Sequence, residues 1–397
     1  MGTASTMACI LAALGLMPLR GATAAAVSSL RLRLAEETGA IAISLAQRRT
    51  KPQSLLTRES FLNAITVVQA IGGSSNAIVH LMAIIGRHPA VAGKITLDTI
   101  DEVGRRTPLL VDLKPSGENY MTDFHNSGGM VALLHELKPL LHLEAMTVSG
   151  LTLGEELIRQ PAFTMPADGK AVSCIRPLRA PLFSASSLVV LRGNLAPGGA
   201  VVKASASADS GLLRHRGPAL VFAGAADLAA RIDDPALVVT RDSVLVLQNI
   251  GPVGHPGMPE AGLIPIPRKL AAAGVIDMLR ISDGRMSGTA GGTIVLHITP
   301  EAADPTSALG VVKDGDIIEC DIDRRLLQLH VEEEELHRRI SERQQYSQEN
   351  GQTDTDPAGG NWLTRRNMRG YRGLYMREVQ QAEHGADFRF LTAAGPP

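Results

Sequence analysis

Along the first 160 or so residues, apolar positions recur at the three-to-four spacing of helices that bury one face. Val27 to Arg49 has this pattern, with Arg and Glu on the opposite face. Thr57-Arg-Glu-Ser opens a second helix, which runs through Phe61, Ile65, Val68 and Ile71 and stops at Gly72-Gly73. Asn76 to Ile85 forms a third, and Thr96 caps a short fourth. A further helix is expected to start near Asn126, and Thr152-Leu-Gly-Glu155 is a capping box for one ending at Arg159.

The pattern changes near residues 165–180, where Pro and Ala become frequent and short β-branched runs replace helical spacing. The runs are Leu188 to Leu191, Ala200 to Lys203, Leu237 to Thr240, Ser243 to Leu247, Val275 to Ile281, Gly292 to Ile298, Asp316 to Ile322 and Leu326 to Val331. Short strands between Gly/Pro turns predict a β-barrel or sandwich with a few helices. Those helices are Pro267 to Ala273, the charged stretch Glu332 to Gln345, and a terminal amphipathic segment from Arg369 to Glu383. Gln348 to Gly360 is polar and Gly-containing, as a linker would be.

Composition narrows the class. A length of 397 residues suggests two domains, and 45% hydrophobic with 20% charged residues is the balance of a globular protein. A formal charge of −1 gives no reason to expect nucleic acid or a membrane as partner. Cys9, Cys174 and Cys320 are odd in number and far apart, which argues against a disulfide framework and for a reducing, cytoplasmic setting. Met1 to Ala26 is apolar like a secretory signal but has no positive start, and Arg20 interrupts the approach to any cleavage site.

Four Gly-rich segments could carry chemistry. Gly72-Gly-Ser-Ser-Asn76 could aim backbone N–H groups at an anion through Ser74 and Asn76, or simply join two helices. Leu113 to Gly129 places His125 in a loop, as a base or as a structural hydrogen-bonding residue. Gly251-Pro-Val-Gly-His-Pro-Gly-Met-Pro-Glu260 is a stiff loop holding one carboxylate, either a divalent-cation ligand or a solvated side chain. Asp283-Gly-Arg-Met-Ser287-Gly-Thr-Ala-Gly-Gly292 presents Arg285, Ser287 and Thr289 on a tight turn. This turn fits an exposed reactive hydroxyl or an anion-binding loop; no Gly-x-Ser-x-Gly elbow supports hydrolase chemistry.

Taken in order, these segments resemble the dihydroxy-acid/6-phosphogluconate/sugar-acid dehydratase family. The resemblance runs through Met1-Gly-Thr-Ala-Ser-Thr-Met7, Gly72 to Asn76, Arg106 to Gly117, Thr147 to Leu153, Ile175-Arg-Pro-Leu178 and Leu191 to Pro197. It continues through Gly257-Met-Pro-Glu260, Asp283 to Gly288 and Ile298-Thr-Pro-Glu-Ala-Ala303. The stretch after Glu260 and the terminal Arg369-Gly-Tyr segment look more like the sugar-acid branch, of the arabinonate/xylonate type.

The resemblance implies an α/β chain: the helical C-terminal part of an α/β/α domain, followed by a β-barrel-like domain with flanking helices. The corresponding division is residues 1–170, 171–345, a linker at 346–360 and a helical tail at 361–397. It implies loss of water from a 2,3-dihydroxy acid to give a 2-keto-3-deoxy acid, with an iron–sulfur cluster (2Fe-2S) and Mg²⁺ as cofactors. Ser287 matches the family's base and Glu260 a metal ligand; Ser74, Asn76, His125, Arg285 and Thr289 become candidate substrate contacts. The implied partners are a small sugar acid and further copies of the chain, as a dimer or tetramer.

The family's cluster cysteines and other magnesium ligands are expected to precede Met1, and Cys9, Cys174 and Cys320 match none of them. Met1 then corresponds to an internal methionine, and the apolar start to an interior helix. On this reading the chain is an N-terminally truncated relative, expected to be inactive by itself. The alternatives are a non-catalytic scaffold pairing with a full-length homologue, and a metal-independent sugar-acid binder.

Overall fold

The computed structural model of the chain describes residues 1–160, 173–288, 290–350 and 369–393. Two compact units emerge: Met1–Ala77 with His88–Leu188, and Ile78–Arg87 with Val189–Pro397.

The first unit is helical. It contains α1 (Thr3–Ala13), α2 (Ser29–Gln47), α3 (Pro52–Leu55), α4 (Arg58–Ala70), the start of α5 (Asn76–Arg87), α6 (Leu97–Arg106), α7 (Met121–Asn126), α8 (Gly129–Leu137) and α9 (Leu153–Arg159). Helix α4 is its axis: Thr57 caps it by accepting from the Ser60 N–H, and every residue from Ser60 to Ala70 is buried. Its two buried amides clamp neighbouring backbone. Asn63 bonds both the N–H and the C=O of His142, and Gln69 does the same for Leu188. Such pairing removes the penalty of burying an amide.

The expected cap at Thr96 and capping box at Thr152 form, and the Thr96 cap is itself a capping box. Two expectations need correction. The stretch around Asn126 is the end of α7, not a helix start; Gly128, at φ +98°, turns the chain before α8 begins. Helix α2 forms, but Leu34 is its one buried residue, so its apolar positions largely face outward.

The second unit is built on one sheet. Its elements are β1 (Val189–Leu191), β2 (Gly199–Val202), β3 (Arg214–Phe222), α10 (Ala225–Arg231), β4 (Val244–Leu247), α11 (Arg268–Ala272) and β5 (Arg280–Ser282). They continue with β6 (Ile294–Thr299), β7 (Ile317–Asp321), β8 (Leu326–His330), α12 (Glu333–Asn350) and α13 (Gly370–Glu378). The eight strands lie in the order β1-β2-β6-β5-β4-β3-β7-β8. Strands β3 to β6 are parallel neighbours, and antiparallel strands flank them. Strands β4 and β6 are fully buried, as parallel strands covered on both faces must be.

The two edges meet at a bridge, with Arg192 N–H donating to Arg325 C=O (2.8 Å) and Leu327 N–H to Arg192 C=O (2.7 Å). The sheet is therefore nearly closed and barrel-like, which agrees with the expected α/β chain carrying a barrel.

Strand β3 is absent from the expected runs because Gly217 and Pro218 interrupt its pattern. It survives by changing partner there, pairing with β7 through Pro218 and with β4 from Ala219 onward. Gly217 is required, because a Cβ would lie 1.9 Å from the Asp242 carbonyl oxygen. Leu237 to Thr240 forms no strand, and in Val275 to Ile281 the strand begins only at Arg280. Helix α12 runs on to Asn350, into the stretch expected as linker; the rest of that stretch lies outside the described residues. The terminal helix is shorter than expected, ending at Glu378.

Below β5 sits a buried ion pair, Arg280–Asp277, at 2.7 Å. Asp277 also accepts from the N–H groups of Thr293, Ala208 and Met278, while Arg280 donates to the carbonyls of Ile264 and Met278. Removing one partner leaves an uncompensated buried charge. Asp277→Ala is expected to cost about 3–5 kcal/mol in denaturant unfolding, with the melting temperature falling accordingly. A loss below 1 kcal/mol, roughly a surface pair's worth, would contradict this account.

Candidate active site

The carboxyl ends of β4, β5 and β6 gather at one end of the sheet, where parallel-sheet proteins commonly bind ligands. The loop after β4 carries Glu260, and the loop after β5 carries Arg285 and Ser287. One buried carboxylate ties all three strand ends together. Asp283 accepts N–H bonds from Asn249 (3.1 Å), Ile250 (2.9 Å) and Ala302 (2.8 Å). Complete burial pushes its carboxyl up to about 6, against the pull of those donors.

Arg285 joins the two loops. Its Nε donates to the Met258 carbonyl, and its own carbonyl accepts from Gly262 N–H at 2.8 Å. These bonds lie on either side of Glu260, so Arg285 brackets that residue. Gly262 permits the approach, since a Cβ there would stand 2.9 Å from the Arg285 oxygen. The loop's upstream half is held by Glu301, which accepts from Val253 N–H (2.9 Å), Gly254 N–H (2.8 Å) and Gln381 Nε2 (3.0 Å). Tyr375 Oη of α13 accepts from Gly257 N–H at 2.7 Å and donates to the Pro252 carbonyl at 3.1 Å. The expected stiff loop is thus fixed by side chains as well as by its prolines.

Two histidines join this cluster. His80 of α5 is half-buried; burial and the Arg285 charge hold its pKa down, while Glu260 pulls it up. His297 of β6 is buried, and burial with the charges of Arg285 and His80 pushes its pKa down to about 3.

Comparison with known proteins decides the family. The chain matches the model for the C-terminal part of dihydroxy-acid/6-phosphogluconate dehydratases over residues 173–386, and that for the N-terminal part over residues 1–156. The chain belongs to the dihydroxy-acid/6-phosphogluconate dehydratase family. It is 41% identical over 396 residues to a 6-deoxy-6-sulfo-D-gluconate dehydratase of Pseudomonas putida, covering 99% of this chain and 63% of that protein. It is 42% identical over 388 residues to an L-arabonate dehydratase of Azospirillum brasilense, covering 97% and 62%. A dihydroxy-acid dehydratase of Caldicellulosiruptor bescii is 40% identical over 343 residues, covering 86% and 59%. The chain therefore spans about 60% of the length of these family members.

Within the second unit, Glu260, Arg285 and Ser287 stand on adjoining loops; Thr289 lies outside the described residues. Ser74, Asn76 and His125 belong to the first unit. Ser74 Oγ bonds Thr3 Oγ1 at 3.0 Å, and Asn76 Nδ2 donates to the same oxygen at 3.0 Å. His125 Nδ1 pairs with Thr23 Oγ1 at 3.0 Å beside a cavity of about 410 Å³, lined also by Arg20 and Arg159. Sequence reasoning had not singled out His80, His297 or Glu301 as site residues. Glu301 lay inside the quoted Thr-Pro-Glu-Ala-Ala motif, a lone acid between prolines and alanines, and that was its one signal.

The described residues do not fit the family's metal groups by themselves. Cys9, Cys174 and Cys320 are all buried, and burial pushes Cys9 and Cys320 up to about 12 and raises Cys174. A thiol so raised is neither nucleophile nor ready metal ligand. Among the described residues, no group of three or more His, Cys, Asp or Glu is placed to hold a metal ion. Glu260 is a single candidate oxygen ligand, which alone makes no magnesium site.

Glu301 supplies a pH test. Burial first, and the Asp283 charge second, push its carboxyl up to about 8, with the Gly254, Val253 and Gln381 donors opposing. Its folded pKa thus stands above the unfolded value of roughly 4.3. Its contribution to stability is complete below the unfolded value and is lost as pH rises through 8. Chemical denaturation between pH 6 and pH 9 (roughly the upper part of that window) should show Glu301→Gln gaining stability relative to wild type as pH rises. Parallel profiles for the two proteins would refute the assignment.

Proposed function

We propose that this dehydratase-family chain acts on a sugar acid bearing hydroxyls at C2 and C3, converting it to the 2-keto-3-deoxy acid. The observation that carries the reading is Arg285, whose two hydrogen bonds bracket Glu260 and hold its loop to the turn bearing Ser287. Family members named for sugar acids, the L-arabonate and 6-deoxy-6-sulfo-D-gluconate enzymes, match nearly the whole chain. Ser287, having given up its own proton, takes the C2 proton as the C3–O bond breaks; the departing hydroxide combines with the proton that Ser287 gave up and leaves as water, and the enol becomes the ketone. Arg285 supplies a cation for the substrate carboxylate. Glu260 contributes a carboxylate on the adjoining loop. The hydroxyl of Ser74 and the ring of His125 are already engaged by Thr3 and Thr23, so neither carries this reading.

A second reading, a non-catalytic scaffold paired with another family member, is favoured by the three buried cysteines, whose thiols burial makes harder to ionise. Keto-acid formation from L-arabinonate and related aldonates by purified protein, with metal analysis of the same sample, separates the two. Turnover by wild type, falling on the order of a hundredfold or more in Ser287→Ala as expected for loss of an acid–base group, supports the dehydratase. Retained turnover in that variant removes Ser287 from the base role. No keto acid from any aldonate, with homologous partner bound, supports the scaffold.

A further inference from the structure

His297 sits where β6 breaks register with β2. Gly199 pairs with Thr299 and Val201 with Leu296, so one residue on β2 faces two on β6. The extra length is a β-bulge, a feature that bends a strand and re-aims a side chain. His297 occupies it at φ +57°, a left-handed backbone that a branched imidazole side chain adopts only at a cost. Its N–H donates to the Gly284 carbonyl at 3.1 Å, which sets the residue directly against the Asp283–Ser287 turn.

The ring is buried, at 4% exposure, and neither Nδ1 nor Nε2 has a hydrogen-bond partner. Leaving even one such group unsatisfied is unfavourable, and here both are. The charged neighbours that act on the ring are Arg285 and His80, and His80 in turn feels Glu260. With two basic groups nearby and no solvent, the ring stays neutral, with one N–H donor and one bare acceptor. A carboxylate satisfies only the donor and a metal ion only the acceptor. Hydroxyl groups, which both give and accept, satisfy either nitrogen.

We propose that His297 is a substrate-binding residue whose neutral ring hydrogen-bonds hydroxyl groups of the bound sugar acid, next to Arg285. This rests on the dehydratase reading above. The bulge fixes the ring beside the Asp283–Ser287 turn; both nitrogens are covered in the free chain, so the polyol reaches them as the side chains covering them move, and the missing partners are the polyol's own. Aldonates with hydroxyls beyond C3 would fill both nitrogens, so the residue favours hydroxylated chains over alkyl-substituted dihydroxy acids.

The test uses the whole chain, labelled with ¹⁵N-histidine and titrated with L-arabinonate. Two variants accompany it: His297→Phe, which keeps an aromatic ring without nitrogens, and His297→Gln, which restores polar atoms and assigns the signals. Binding is expected to move the His297 ring resonances and to weaken roughly tenfold in His297→Phe, about one hydrogen bond's worth. His297→Gln should recover part of that loss, while the melting temperature of His297→Phe stays level or rises. If wild type binds L-arabinonate with unmoved ring signals, a buried water or nothing partners the ring, and the proposal falls while the dehydratase reading stands. Equal affinity of a folded His297→Phe has the same consequence; if that variant does not fold, the wild-type ring signals decide. Failure of wild type to bind any aldonate removes both readings together.

Discussion

The end of the second unit that carries the candidate site depends on a buried carboxylate serving as a structural knot. Asp283 has no access to solvent, and its oxygens are satisfied by N–H groups from the ends of β4 and from the loop after β6. Each of those loops alone would offer unpaired backbone donors to an apolar interior, which is unfavourable. With Asp283 between them, the donors and the acid satisfy each other, and the strand ends acquire a fixed spacing. Glu301 extends the same logic by one step, since its neighbour Ala302 donates to Asp283 while its own carboxyl holds Val253 and Gly254. Both acids are pushed above the usual carboxylate range by burial, and the Asp283 charge adds to the Glu301 shift. Two buried acids in series therefore carry the geometry.

Much of this was legible in sequence where local chemistry decides structure. The caps at Thr57, Thr96 and Thr152 fixed helix starts because a hydroxyl must meet the first free N–H groups of a helix. Strands β4 and β6 were visible as continuous apolar runs. Strand β3 was not, because its Gly-Pro interruption is tolerated only by a switch of partners that a linear pattern cannot show. The outward apolar face of α2 was unreadable for a related reason: periodicity reports that a face exists, not what covers it.

The site divides along the same line. Glu260, Arg285 and Ser287 stood out because glycines and prolines surround them, and that composition marks loops shaped for close backbone approach. His80 and His297 had no such signal. One falls in a run that reads as an ordinary helix and the other in a run that reads as an ordinary strand, and only the fold shows the bulge at His297 and makes both answer to the Arg285 charge. The long-range pairing that matters most, Asp283 with backbone on both sides of it in the chain, involves no second side chain to notice.

Strain points to the same place. Asn249, Met258 and His297 are all non-glycine residues in the left-handed region, at φ +61°, +45° and +57°. Each is held there by a bond to the Asp283–Arg285 segment: Asn249 N–H to Asp283, the Met258 carbonyl to Arg285, and His297 N–H to Gly284. Glycine at these positions would relieve about 1 kcal/mol or more apiece. It would also remove the Asn249 amide that donates to the Ala223 carbonyl, the buried Met258 side chain and the His297 ring. Retaining three strained side chains around one three-residue segment makes sense if that segment must keep a single shape when the ligand is absent. A binding site for a charged, hydrogen-bonding ligand, as proposed for this segment, gains from being fixed in advance, because little ordering is left for binding to supply.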